Sequence, residues 1–130
     1  MADEAKPSWD VNRAIEHLNQ SSAGRHSTGN CAKFVRLAIA AGGGVPVMST
    51  KHAKDYGPNL EAAGFHALTN VNPQAGDVAV IQPVPGHPDG HMAMYNGSIW
   101  VSDFQQQHGY YPGDTYRRVQ PAVTFYRKSN

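Results

Sequence analysis

The chain has 130 residues, a formal net charge of +1, 40% hydrophobic residues and a single cysteine. This length is enough for one domain with one core, so we predict a single domain over residues 1–130, with residues 1–7 as a flexible tail. The near-neutral charge argues against a nucleic-acid-binding protein, which is normally basic. One cysteine excludes a disulfide framework within the chain and a metal site built from several thiolates.

The N-terminal residues Met1–Lys6 lack the basic and apolar regions of a signal peptide, and no apolar run in the chain approaches the length of a membrane span. We therefore expect a protein that is made in the cytoplasm and does not insert into a membrane. If it acts outside the producing cell, a route other than general secretion must export it.

Helical periodicity marks the first half of the chain. Apolar residues three or four positions apart predict a first helix after Ser8 and a second that begins near Cys31 and ends at the glycines 42–44. Between Ser49 and Ala63 we predict one or two helical turns, broken by Gly57-Pro58.

The periodicity changes to two after Gly64, which predicts strands. We expect them at residues 65–68, 78–81, 91–95, 98–104 and 123–126, with a hairpin turn at Asn96-Gly97. Asp77 should be a structural carboxylate that bonds loop N–H groups at a strand start. Helices followed by antiparallel strands predict an α+β fold, with N-terminal helices packed on a small antiparallel sheet.

Cys31 is the candidate nucleophile. It follows a polar loop and begins the second predicted helix, with Thr28 or Asn30 as the cap. The unpaired N–H groups of a first helical turn favour negative charge. We therefore expect the pKa of the thiol to be lowered, since the thiolate is the reactive form.

A nucleophilic cysteine needs a base and a group that orients the base. His91 begins a strand after Gly90, where its side chain can reach a cleft at the sheet edge. A two-residue turn would place Ser102 on the same face as His91, whereas a three-residue turn would place Asp103 there. A carboxylate favours the imidazolium form, so we predict Asp103, with Ser102 as the alternative.

Three motifs occur in an order that resembles the CHAP and NlpC/P60 group of papain-like cysteine peptidases and amidases: Gly-Asn-Cys-Ala-Lys-Phe-Val at 29–35, Gly-Asp-Val-Ala-Val at 76–80, and Gly-His-Met-Ala-Met-Tyr at 90–95. The resemblance implies a papain-like fold. It also implies cleavage of an amide bond of bacterial peptidoglycan through an acyl-enzyme, with no metal and no other cofactor.

In that resemblance, Cys31 matches the nucleophile, His91 the base and Asp103 the third residue. Gln105 falls where the group often has a second polar residue, and Asn30 directly precedes the nucleophile. We expect the Cys31 backbone N–H, together with a donor at Asn30 or in the loop before it, to hold the oxyanion.

By resemblance, a bare domain of this kind is typical of an exported antibacterial effector, delivered by a contact-dependent machine such as the type VI apparatus. The expected partners are peptidoglycan and a cognate immunity protein, and we expect a monomer. The alternatives are a phage endolysin CHAP domain, a papain-like toxin that deamidates or crosslinks protein glutamines, and a binding module in which the cysteine is only packed.

Overall fold

The structure is a computed structural model that describes residues 9–22, 24, 30–69 and 72–129. The expected tail at 1–7 and the candidate caps Ser8 and Thr28 lie outside these residues. The described part contains the helices α1 Val11–Ser21, α2 Cys31–Ala41, α3 Gly57–Ala62 and α4 Asp114–Val119, and a 3-10 turn at Ala53–Asp55. The longest of these helices have 11 residues, and none in the described part has the length and apolarity that a bilayer span requires.

Five strands form one antiparallel sheet in the order β1-β5-β2-β3-β4. They are β1 Phe65–Ala67, β2 Val78–Ile81, β3 His91–Tyr95, β4 Trp100–Val101 and β5 Val123–Lys128. The α+β prediction is confirmed. The fourth strand is much shorter than the predicted 98–104, because the chain bends away from β3 after Val101.

The helix ends follow local rules. Asp10 caps α1, and its carboxylate accepts hydrogen bonds from the N–H groups of Asn12 and Arg13. Helix α2 begins at Cys31 and is capped at its end by Gly42, as predicted. Gly57-Pro58 was expected to break a helix and instead begins α3, since proline is well tolerated in a first helical turn.

Both faces of the central strands β2 and β3 are buried. Successive side chains of a strand point to opposite faces. One face packs against α1 and α2, in a core that includes Leu18, Val35, Ile39, Val78, Val80, Met92 and Met94. The other face packs against an aromatic cluster, with Ala79, Ile81, Ala93, Trp100, Tyr116 and Phe125. Functional groups on these strands can therefore meet solvent only at the ends of the sheet.

Asp77 lies at one of those ends, directly before β2, and is almost fully buried. Its carboxylate accepts hydrogen bonds from the Gln74 N–H at 2.9 Å and from Nε and Nη2 of Arg127 at 2.9 and 2.8 Å. These hydrogen bonds to Asp77 raise the pKa of the Arg127 guanidinium. The predicted structural role of Asp77 is confirmed.

Candidate active site

Cys31 is the first residue of α2, and the helix holds it in place through its buried residues Val35, Ala38 and Ile39. Asn30 occupies the cap position, but its side chain makes no capping hydrogen bond. Its backbone N–H instead donates to Oδ2 of Asp103 at 3.0 Å. The start of the helix is thus tied to the segment that follows β4.

Burial raises the pKa of the Cys31 thiol from 9.0 to about 11. The carboxylate of Asp103 adds to the rise, and the backbone N–H groups of Met92, Ala32 and Cys31 itself oppose it. The expected lowering of this pKa is therefore wrong, because the loss of water around the sulfur outweighs the favourable helix start. At neutral pH the sulfur rests as a thiol.

His91 begins β3, and its register partner is Ile81, the last residue of β2. The residue before it, Gly90, has a φ of +73°, and a Cβ there would lie 2.4 Å from the Ile81 carbonyl oxygen. Only glycine fits this close approach. The glycine therefore lets the chain enter β3 against the end of β2, and this places the buried imidazole at the sheet edge.

The hairpin after His91 has a turn that neither considered register anticipated. Tyr95 pairs with Trp100, so residues 96–99 form a four-residue turn. The side chain of Asn96 explains the extra length, because its Oδ1 accepts from the N–H groups of both Ser98 and Ile99 at 2.9 Å. Both predicted registers, the one that pairs His91 with Ser102 and the one that puts Val101 and Asp103 on the face of His91, are therefore wrong.

After β4 the chain bends sharply and returns toward β3. The Ser102 N–H donates to the Phe104 carbonyl at 3.0 Å, Val101 bridges to Gln105, and the Gln106 N–H donates to the Trp100 carbonyl at 3.0 Å. This bend brings the side chain of Gln106, which is almost fully buried, to the imidazole of His91.

Gln106 selects the tautomer of His91. Its amide Nε2 donates to the carbonyl oxygens of Gly109 at 3.0 Å and Tyr110 at 2.8 Å. Both amide hydrogens are thereby used, so Oε1, which lies 2.8 Å from Nε2 of His91, must accept a hydrogen bond. The proton of the neutral ring then resides on Nε2, and Nδ1 keeps a free lone pair that can take a proton.

Burial lowers the pKa of His91 from 6.5 to about 4. The hydrogen bond with Gln106 and the charge of Asp103 raise it, whereas His87 lowers it further. The ring is therefore neutral at physiological pH, which is the state that a general base requires.

Asp103 and Ser102, the two candidates for orienting His91, are both buried but do not hydrogen-bond its ring. Asp103 accepts from the Asn30 N–H and, through Oδ1, from the Ser102 hydroxyl at 3.2 Å. It acts on His91 only through its charge. The expected ring contact of Asp103 is thus replaced by Gln106, because the observed turn shifts the chain beyond both predicted registers.

The sequence carried little signal for Gln106. Three glutamines occur in a row at 105–107, and only the fold distinguishes the buried middle one from its neighbours. Gln105, the residue suggested by the resemblance, does not line the cleft described below.

Cys31 and His91 line one cleft of about 540 Å³. Its walls come from the start of α2, residues 49–56, the loop before β3, and residues 112–116 around the start of α4. The Tyr116 ring lies 5.3 Å from the ring of His87 and 6.0 Å from that of His91, measured between centroids. Burial raises the pKa of Tyr116 to about 12, so its hydroxyl stays a hydrogen-bond donor. Asn30 also lines the cleft.

No group of three or more histidine, cysteine, aspartate or glutamate side chains that could hold a metal ion occurs among the described residues. The reactive side chains described in the cleft are a thiol, an imidazole of fixed tautomer and a phenol. Fold and site together define a class of small α+β proteins in which a cysteine at a helix start and a histidine at a strand start line the same cleft.

Comparisons with solved structures narrow this class. A chain of the crystal structure of the type VI native effector–immunity complex Tae3–Tai3 from Ralstonia pickettii matches with a TM-score of 0.86 and 47% sequence identity, over 93% of this chain and 100% of that one. A chain of the SeMet effector–immunity complex Tae3–Tai3 from the same organism matches with a TM-score of 0.83 and 50% identity, over 88% and 99%. The chain therefore belongs to the Tae3 family of type VI effectors.

A more distant similarity concerns the fold alone. The crystal structure of Ly7917 matches with a TM-score of 0.58 and 19% identity, over 91% of this chain and 62% of that one. No protein-family model matches the sequence, and no curated protein matches it.

Proposed function

We propose that the protein is an antibacterial effector that hydrolyses an amide bond of the peptide part of bacterial peptidoglycan. Membership of the Tae3 family supports the effector role. The cleft supports the chemistry, because it contains a nucleophile and a base with its proton on the far nitrogen. The resemblance to CHAP and NlpC/P60 peptidases points to the same class of substrate.

The reaction begins with a neutral thiol and a neutral imidazole. As the Cys31 sulfur attacks the amide carbonyl, its proton passes to Nδ1 of His91. The resulting imidazolium gives this proton to the leaving amine, and the acyl group stays on the sulfur. His91 then takes a proton from water as the water oxygen attacks the thioester carbonyl. The C–S bond breaks, the acyl group leaves as a carboxylic acid, and the imidazolium returns its proton to the Cys31 sulfur. The charge of Asp103 favours the imidazolium that forms in each step.

The oxyanion needs donors that are not already used. The Cys31 backbone N–H lies at a helix start, where intrahelical acceptors are missing, and its bond to the sulfur is given up when the sulfur is acylated. The Asn30 backbone N–H is engaged by Asp103, so it is not the second donor. We assign the second position to the Tyr116 hydroxyl, which belongs to a cleft-lining residue and keeps its proton.

The observation that carries this proposal is the amide of Gln106, whose two donated hydrogen bonds leave only its oxygen for His91. Here the tautomer leaves Nδ1 basic, in the cleft that also holds the chain's single thiol.

The test is incubation of the purified protein with purified sacculi, followed by mass spectrometry of the released muropeptides. We expect soluble fragments from the wild type and at least a thousandfold less from Cys31→Ala, with circular dichroism used to check that the variant is folded. The masses of the fragments identify the bond that is cut. Absence of any release by the folded wild type would overturn the wall-hydrolase proposal and favour deamidation or crosslinking of protein glutamines.

The biological setting follows from the family. We propose that the protein acts in the periplasm of a target cell and that a cognate immunity protein protects the producing cell, since the two similar structures are effector–immunity complexes. Expression of the protein with a periplasmic signal sequence should lyse the cells, whereas expression of Cys31→Ala should not. Equal toxicity of the two proteins would contradict a catalytic role for the sulfur.

A further inference from the structure

The cleft has a cationic side. Lys33 and Arg36 lie three positions apart on α2 and therefore share one face of the helix, and both line the cleft that Cys31 opens into. Lys51 lines the same cleft from the segment that precedes α3. The described carboxylate of the lining, Asp89, is 2.5 Å from Nδ1 of His52 and is thus already engaged.

These three cations have no anionic partner in the part of the chain that the structure describes. The ion pairs found there join His52 to Asp89, Arg117 to Asp114, and Arg127 to Asp77. Lys33 and Lys51 are exposed, so water can satisfy their ammonium groups. Arg36 differs, because its Nε atom is buried and has no hydrogen-bond partner among the described residues.

A buried N–H without an acceptor is rare in folded proteins and calls for an explanation. Because Lys33 and Lys51 lie nearby, an anionic acceptor would be bound more strongly beside Arg36 than a neutral one. A carboxylate suits it, since a guanidinium can donate two parallel hydrogen bonds to one carboxylate and a lysine can add a charge-assisted third. The surplus positive charge of the lining therefore indicates an anionic ligand, and a small movement of the Arg36 guanidinium would let its Nε–H join the contact.

We propose that Lys33, Arg36 and Lys51 form a subsite that binds a free carboxylate of the substrate peptide. This inference rests on the proposed function, because the stem peptides of peptidoglycan carry free carboxylates beside their amide bonds. Binding of a carboxylate on the α2 side fixes the register of the peptide in the cleft, and with it the amide that reaches Cys31. The effector is thereby specific for stem peptides whose carboxylates have not been converted to carboxamides.

The test uses Cys31→Ala, which binds without turnover, and two synthetic probes. One probe is a stem tetrapeptide with free carboxylates, and the other is the same peptide with carboxamides in their place. Calorimetry at low salt should give at least tenfold tighter binding for the carboxylate probe, and this preference should shrink as salt is added. In the same background, Lys33→Met and Lys51→Met should each reduce the preference at least threefold, with binding of the carboxamide probe unchanged.

Arg13→Met is the matched control, because Arg13 is an exposed arginine on α1 outside the cleft, and it should leave the preference intact. Arg36→Met should abolish most of the preference, and Arg36→Lys should restore part of it. If Arg36→Met does not fold, the carboxylate preference of Lys33→Met and Lys51→Met still tests the subsite.

Equal affinity of the two probes, or a preference that both lysine variants retain, would overturn the subsite. The sacculus assay reports separately on the proposed hydrolysis. A carboxylate preference that depends on the lysines supports the subsite even if the wild type releases no muropeptides, and equal affinities overturn it even if sacculi are digested.

Discussion

The two ends of the β2–β3 strand pair hold buried polar groups that are built in opposite ways. At one end, the Asp77 carboxylate accepts two hydrogen bonds from the Arg127 guanidinium. At the other end, where His91 pairs with Ile81, a neutral imidazole meets the neutral amide of Gln106. Asp77 and His91 are both almost fully buried, and His91 lines the cleft that also contains Cys31.

The difference suggests separate roles for the two ends of the sheet: the ion pair stabilises the fold, and the imidazole is available to transfer a proton. A buried charge pair opposes any change of protonation, because removing one charge leaves the other uncompensated. A neutral hydrogen bond orients a ring without fixing its charge, so a proton can arrive and leave. The predictions below test whether the ion-pair end affects stability alone and the imidazole end affects activity.

The largest effect is expected at the ion-pair end. Asp77→Asn removes the charge that holds Arg127 and should lower the free energy of unfolding by about 3 kcal/mol, measured by urea denaturation. Hydrolysis of sacculi per folded molecule should stay unchanged. Asp114→Asn, which breaks the exposed pair with Arg117, is the control and should have no measurable effect on stability. If the two variants lost the same free energy of unfolding, the burial of Asp77 would not explain the stability of its ion pair.

The next effect belongs to the imidazole end. Gln106→Leu removes the acceptor for Nε2–H and should lower kcat about 100-fold with little change in KM, since the ring can then adopt the unproductive tautomer. The neighbouring variant Gln105→Leu should keep wild-type kcat, because Gln105 does not line the cleft. A Gln106→Leu protein that loses thermal stability but keeps kcat would assign Gln106 a structural role only.

The low pKa of His91 should also make stability depend on pH. The folded value of about 4 lies below the ordinary 6.5, so the unfolded chain binds a proton first as the pH falls. The free energy of unfolding is therefore unaffected by His91 above pH 6.5 and falls as the pH is lowered toward 4. By pH 5 the loss should be about 2 kcal/mol. Urea denaturation should show this loss in the wild type and not in His91→Asn. The exposed His66 offers a control, since His66→Asn should follow the wild type.

The smallest effect concerns the two residues first considered for orienting the base. Asp103→Ala should lower kcat about tenfold, because it frees the Asn30 N–H and removes the charge that favours an imidazolium. Ser102→Ala should lower kcat much less than Asp103→Ala does, since the Ser102 hydroxyl only donates to Asp103. Steady-state hydrolysis of a soluble muropeptide distinguishes the two, and a larger loss in Ser102→Ala would reverse this assignment.

Local patterns predicted the elements that position the nucleophile and the base. Helix α2 follows from apolar spacing and from the glycines at its end, and β2 and β3 follow from short apolar runs after Gly76-Asp77 and Gly90. Each of these signals lies within a few residues of the element it defines. Cys31 and His91 could therefore be placed before their surroundings were known.

The remaining features depend on tertiary structure. Asn96-Gly97 indicated a hairpin, but the second backbone contact of the Asn96 side chain made the turn longer than the dipeptide suggested. That change shortened β4 and brought Gln106 to His91. The pKa of the Cys31 thiol was mispredicted for a similar reason, because a helix start is visible in the sequence and the burial of the sulfur is not.

The protonated state of the Cys31 sulfur has a consequence beyond the reaction itself. Oxidants and disulfide-exchange partners attack the thiolate, so a half-buried group with a pKa of about 11 reacts slowly with both. The bacterial periplasm converts reactive thiols to disulfides. Under the proposed function, a single thiol that is protonated at rest would let the protein cross that compartment in its reduced form.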